Sequence, residues 1–186
     1  MRYKAYKYRI YPNKSQEELI LKHIGCCRYI YNYGLEKKIK VYQESKQGIS
    51  RFDLQSDLVV LKKQQETSWL KEVNSLSLQA SLANLDTAFT RFFKEKKGFP
   101  KFKSKKVGNQ SFQVVQNTKV DFDKNKLFLP KFKSGIKCIF HRQFEGEIKT
   151  STISKTPAGK YFISILVKVN DDNPNKVPID ENQAVG

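Results

Sequence analysis

Residues 75–106 read SLSLQASLANLDTAFTRFFKEKKGFPKFKSKK, and the periodicity of the chain changes inside them. Up to Phe92 the apolar residues Leu78, Leu82, Leu85, Phe89 and Phe92 recur at steps of four, three, four and three, the spacing of one helix face. Beyond GFPKFKSKK the apolar spacing falls to two, the period of a strand. The stretch is a crossover from a helical unit to a β unit. Eight of its last sixteen residues are Lys or Arg and four are Phe, against one acid, Glu95.

Working back from the crossover, a helix is expected from Ser77. Ser50-Arg-Phe-Asp53 reads as another helix start, with Leu54, Leu58 and Leu61 on one face. Ser15-Gln-Glu-Glu18 matches a capping box, in which the serine hydroxyl and the glutamate each satisfy an orphan amide. It opens a long helix carrying Leu19, Ile24, Cys27, Ile30 and Leu35, expected to fray before Gly48. The opening RYKAYKYRIYP places Tyr6, Tyr8 and Ile10 on one side of an extended segment and Lys7 and Arg9 on the other. That predicts a strand with a wet, cationic face.

Working forward, Tyr161, Ile163, Ile165, Val167 and Val169 share one face of a strand over Lys160 to Val169, with Ser164 and Lys168 on the other. Residues 147–155 pair with it across Thr156-Pro157-Ala158-Gly159, a hairpin turn. Shorter strands are expected at Ser111 to Val115, Lys119 to Phe122, Lys126 to Leu129 and Ile136 to Phe140. The fold class is therefore α+β: a small antiparallel β-barrel with a three-helix insertion between its first and second strands. The predicted boundaries are 1–12 for the first strand, 13–97 for the helical insertion, 98–170 for the rest of the barrel and 171–186 for an acidic, proline-containing linker.

A chain of 186 residues that is 39% hydrophobic can bury a real core, and its formal charge of +17 calls for an acidic partner. Nucleic acid is the first candidate and an anionic membrane surface the second. The sequence has no apolar run long enough to span a bilayer and no secretory signal at MRYKAYKYRI, so a cytoplasmic location is expected. Cys26, Cys27 and Cys138 form no C-x-x-C pair and are expected to be reduced. His23 with Cys27, and Cys138 with His141, have spacings that would allow four zinc ligands; the competing reading, which is preferred, packs both cysteines in the core and assigns no metal.

The interleaved cations and rings of the crossover suit a phosphate backbone. Arg91, Lys97, Lys101, Lys103, Lys105 and Lys106, with Lys7 and Arg9 of the first strand, are candidate phosphate contacts. Phe99 and Phe102 flank Pro100 and either stack on bases or anchor the crossover in the core. Tyr3, Tyr6, Tyr8, Tyr29, Tyr31 and Tyr33 are open to the same two readings. On the last helix the leucine stripe leaves Ser75, Gln79 and Asn84 on other faces, and a glutamine can pair bidentately with adenine. Asn109, Gln110, Gln113 and Gln116 could add polar contacts from the barrel or be ordinary solvated strand positions.

In this order the segments resemble the OrfB/TnpB family of bacterial insertion sequences, compact RNA-guided nucleases. YKYRIYPNKSQEELILKHIGCCRYIYNYGL is similar to the family's amino-terminal segment, often labelled helix-turn-helix. WLKEVNSLSLQASLANLDTAFTRFFKEKKGFPKFKSKK carries its S-x-x-L-Q-x-x-L-x-x-L-D-x-A-F-x-x-F-F stretch and F-K-S-K signature. KLFLPKFKSGIKCIFHRQFEGEIKTSTISKTPAGKYFISILV is similar to the family's next segment, its barrel region. The resemblance implies a wedge-type barrel, a guide RNA and a double-stranded DNA target, with no membrane involved and a nucleoid-associated location. It implies that Gln79, with Ser75 and Gln113, helps read a short motif beside the DNA target; family members often carry lysine where Ser75 stands. The family's RuvC-like domain supplies the catalytic acids, with Mg and Zn. Here the sequence reaches Ala184-Val185-Gly186, where the first catalytic strand would begin, and Asp180 precedes that position. No catalytic residue carries over, so the chain alone is expected to be inactive. The competing functions are a nuclease-dead RNA-guided regulator and a basic RNA-binding protein unrelated to mobile DNA.

Overall fold

The structure, a computed structural model, describes residues 2–106 and 110–169. The elements run β1 (Arg2–Tyr11), α1 (Lys14–Ser45), α2 (Arg51–Lys63), a 3₁₀ helix (Gln65–Glu72), α3 (Ser75–Glu95), β2 (Gln110–Val114), β3 (Lys119–Asp121), β4 (Lys126–Phe128), β5 (Ile136–Ile139), β6 (Glu147–Lys155) and β7 (Tyr161–Val169). All described helices fall between β1 and β2. The expected linker at 171–186, the end of the expected barrel at residue 170 and Asn109 lie outside the described residues.

The strands form one antiparallel sheet in the order β2-β6-β7-β1-β5-β4-β3. β1 is the hinge of its curl, pairing with β7 from Arg2 to Ile10 and with β5 from Arg9 to Tyr11. The expected small barrel takes the form of a curled half-barrel, with β2 and β3 as its edges among the described strands. β3 and β4 are three residues each, too short to carry the sheet round. The insertion likewise departs from three helices. The 3₁₀ helix between α2 and α3 buries Thr67 and Leu70, three residues apart, in a run only eight residues long.

Two helix starts fall two residues earlier than expected. At α1 the box is Asn13 with Gln16: the Gln16 amide donates to Asn13 Oδ1 at 2.9 Å and the Asn13 amide to Gln16 Oε1 at 3.0 Å. Gln16 is also buried and donates from Nε2 to Ser134 Oγ at 3.1 Å, so this cap ties α1 to the sheet. Ser15 only supports it, donating to Asn13 Oδ1 at 2.8 Å. At α3 the cap is Asn74, leaving Ser77 buried inside the helix. The box at α2 is Ser50 with Asp53, as read from the sequence.

One core joins the helices to the inner face of the sheet, where Tyr8, Ile10, Ile153, Ile163, Ile165 and Val167 meet Ile20, Ile24 and Ile30 of α1. α1 and α3 approach so closely at Gly34 that a Cβ there would lie 2.9 Å from Leu85 Cδ2. His23 locks the assembly. Its Nδ1 donates to the Leu19 carbonyl at 2.8 Å, its Nε2 accepts the Asn74 amide at 3.0 Å, and its ring stacks on Phe112 at 4.6 Å. Both ring nitrogens are thus engaged, Cys27 Sγ donates to the Ser77 carbonyl, and Cys138 is buried in β5. Burial pushes the thiols of Cys26 and Cys138 up to about 12 and that of Cys27 to about 11, so all three are inert free thiols.

Candidate nucleic-acid interface

A crevice of about 450 Å³ opens where α1 and α3 meet the free edge of β2. Arg28 comes from α1, Asn84 from α3, Lys103 from the crossover, and Gln110, Gln113 and Thr152 from the sheet. Two cations and no carboxylate line it. That composition attracts an anion that also offers hydrogen-bonding edges.

The crossover backbone is held in place beside this crevice. The Lys103 amide donates to Asn32 Oδ1 at 2.8 Å, and Asn32 Nδ2 donates to the Lys103 carbonyl at 3.0 Å. Gln110 Nε2 donates to the Lys105 carbonyl at 2.8 Å, and Arg28 Nη1 donates to Gln110 Oε1 at 3.3 Å. Lys103 is exposed as a residue, yet its ammonium is drawn 4.2 Å over the Tyr31 ring. Desolvation there holds its pKa below the usual lysine value, opposed by Cys27. A partly desolvated ammonium without a carboxylate gains from an arriving phosphate more than a fully hydrated one does. Lys97, Lys101, Lys105 and Lys106 are exposed, and none has a carboxylate partner among the described residues.

The rings of the crossover divide. Phe99 stands edge-on to Phe89 at 5.5 Å and to Phe92 at 5.3 Å, anchoring the GFP turn on α3 while staying 46% exposed. Phe102 is 56% exposed, in the most cationic part of the stretch. Arg91 is exposed on the last turn of α3, where its carbonyl accepts the Lys97 amide at 3.2 Å.

A second cationic surface lies on the outer face of the sheet. The register aligns Lys7, Ser164, Thr152 and Gln113 in one row across β1, β7, β6 and β2, and Arg9, Phe162, Ser154 and Ser111 in the next. Lys7 Nζ lies 4.9 Å from the Phe162 centroid and the Arg9 guanidinium 5.3 Å from it. Arg9 Nε is buried without a hydrogen-bond partner among the described residues. Because Thr152 and Gln113 also line the crevice, the two surfaces meet. Phe162, Asn32, Arg28 and Tyr31 were not among the sequence candidates for phosphate contact or motif reading, apart from Tyr31 as an ambiguous ring. For Asn32 and Phe162 the roles depend on pairings with residues far away in the chain.

The three residues expected to read a DNA motif do not gather in one place. Gln113 lines the crevice with Asn84. Gln79 falls about 140° round α3 from Asn84 at 3.6 residues per turn, on the margin shared with Ser75. Ser75 Oγ accepts a hydrogen bond from Lys62 of α2 at 2.5 Å, and burial lowers the Lys62 pKa, with Lys131 adding to the effect. Each margin of α3 therefore carries polar side chains beside a partly desolvated lysine.

Comparison with known proteins places this architecture. Residues 1–47, which form β1 and α1 here, match the OrfB_IS605 helix-turn-helix domain family. The protein named "Putative RNA-guided DNA endonuclease InsQ" from Escherichia coli (strain K12) is 32% identical over 173 residues, 93% of this chain and 42% of its own length. A similarly named endonuclease from Streptomyces pristinaespiralis is 32% identical over 165 residues, 88% of this chain and 41% of its own. Virulence protein VsdF of Salmonella dublin is 37% identical over 113 residues, 55% of this chain and 93% of that protein. The chain thus spans about two fifths of the length of the two endonuclease relatives. By this match along nearly its whole length, the chain belongs to the OrfB/TnpB family of insertion-sequence proteins.

Proposed function

We propose that this chain is the nucleic-acid-binding part of a TnpB-like RNA-guided DNA endonuclease, holding guide RNA and contacting a short motif beside a double-stranded DNA target. The observation that carries this reading is the acid-free crevice at the junction of helices and sheet, with Arg28 and Lys103 fixed at its wall, Gln110 holding Arg28 to the crossover, and the amides of Asn84 and Gln113 facing the same space. Cations there would neutralise phosphates without reading sequence, while the amides can pair with base edges. The half-barrel corresponds in this reading to the wedge module, and the helices between β1 and β2 to the recognition insertion. The domain division at residues 12, 97 and 170 belongs to the same proposal.

Base reading is assigned to Gln113 on the crevice side of α3 and to Gln79 and Ser75 on the other. Arg91, Lys97, Lys101, Lys103, Lys105, Lys106, Lys7 and Arg9 would follow the backbone, with Phe102 stacking. Cleavage, and the Mg and Zn that serve it in the family, would fall to the larger part of the relatives outside the match. Among the described residues no three His, Cys, Asp or Glu side chains cluster. No described helix is long and apolar enough to cross a membrane, and the reading places the protein with the nucleoid.

Sequencing of the RNA that copurifies with the chain tests the reading. A defined transcript from the protein's own genetic neighbourhood, ending in a variable segment, is the expected result. Bulk ribosomal RNA would contradict it and favour a general RNA-binding role.

A further inference from the structure

Away from the crevice, the end of α3 and the GFP turn build a second concavity of opposite chemistry. It has a volume of about 590 Å³ and is lined by Ile39, Tyr42, Ile49, Phe89, Phe93 and Phe99. These rings do not form a closed core: Phe93 is 73% exposed and Tyr42 59%. The walls are nonetheless fixed, because Phe89 stacks on Phe93 at 6.3 Å and meets Phe99 edge-on.

The rim decides between occupants. Lys94 lines the groove, Lys46 Nζ lies just beyond the lining at 5.6 Å from the Tyr42 centroid, and Lys38 Nζ, 5.3 Å from the Phe89 centroid, is already engaged by the Ile49 carbonyl at 2.6 Å. The one acid there, Asp86, is paired with Lys38 at 3.8 Å. An aliphatic side chain of a protein partner would use the rings and leave the cations idle. A nucleotide uses both, since its base is a flat π-face attached to a phosphate.

We propose that this groove seats an unstacked base of a single-stranded nucleic acid, its ring against Phe93 and Tyr42 and its phosphate at Lys46 and Lys94. The proposal rests on the reading that the chain binds nucleic acid and adds to it a subsite for a single strand. A duplex keeps its base faces stacked and cannot enter.

The test uses single-stranded RNA about 12 nucleotides long, within the usual site size, carrying one 2-aminopurine, beside a DNA duplex of equal length. The parent chain should bind the single strand and quench the 2-aminopurine. Phe93→Ala and Tyr42→Ala should each weaken single-strand binding about tenfold and abolish quenching while duplex affinity holds; Phe93→Trp should keep both. Both exposed positions tolerate alanine without loss of fold. Unchanged single-strand affinity in both alanine variants, as expected if the groove seats a protein segment, overturns the proposal, and so does an equal loss on duplex. A parent chain that binds neither nucleic acid overturns the functional reading as well, whereas intact parent binding with silent variants overturns the groove alone.

Discussion

The two margins of α3 differ in how their polar groups are held. On the crevice side, Asn84 faces a space whose other walls are set by the Asn32 clamp on Lys103 and by Gln110, which bridges Arg28 and the Lys105 carbonyl. On the far side, Ser75 is exposed with its hydroxyl engaged by Lys62, and Gln79 is half-buried without a crevice around it. Fixed donors lose little freedom on binding, and loose ones lose more. The crevice side should therefore contribute most of the affinity, and the far side should show itself in base preference. A single duplex can meet both margins only if it lies across the helix.

Removing the charges on the crevice side should have the largest effect. With Lys101, Lys103, Lys105 and Lys106 all changed to Gln, RNA affinity at low salt should fall on the order of a hundredfold and the salt slope should flatten by about three. An unchanged slope would exclude these lysines as phosphate contacts. Next comes Asn32→Ala, which releases the crossover backbone without removing a charge. Loss of two hydrogen bonds should cost about 1–2 kcal/mol of RNA affinity with the salt slope retained, and a parallel drop in the slope would show that the clamp does more than position Lys103.

Gln79→Ala and Gln113→Ala set the two margins directly against each other. In a guide-loaded full-length protein, a residue that pairs with a base should lose about 1–3 kcal/mol at one motif position and nothing elsewhere. A uniform loss across all bases would assign that glutamine to backbone or folding, and an unchanged profile would remove it from the reading surface.

His23 gives a smaller effect on the same junction. Burial, assisted by Lys131, lowers its pKa from the ordinary 6.5, against the Leu19 carbonyl, which raises it. The unfolded chain therefore takes up the proton first, so this contribution to stability is complete above about pH 6.5. It falls as pH drops toward the folded value. Urea midpoints should decrease from pH 7.5 to 5.5 in the parent and decrease less in His23→Gln. A parent midpoint flat over that interval would refute a neutral His23 linking α1 to α3.

The regular elements were legible because their period was. Tyr161 to Val169 alternates without a break, and the structure returns β7 from Tyr161 and β6 at 147–155. Leu78, Leu82 and Leu85 are all fully buried, as their spacing required. The half-barrel was not legible, since whether a sheet closes depends on which edges pair. Nor was the crevice, whose construction depends on Asn32 meeting Lys103 and His23 meeting Asn74, pairs 71 and 51 positions apart in the chain. The S-x-x-L-Q pattern identified Gln79, while its separation from Gln113 depends only on where β2 packs against α3.

Ultraviolet crosslinking of bound RNA to the 186-residue chain, mapped by mass spectrometry, tests the central claim most directly. If nucleic acid lies in the crevice and along the crossover, crosslinks will concentrate in the peptides spanning residues 97–116 and 149–155, and Asn32→Ala will thin those at Lys103. Crosslinks gathered instead on β3 and β4, where Lys119, Lys124 and Lys126 present a comparable charge at the opposite edge of the sheet, would contradict it.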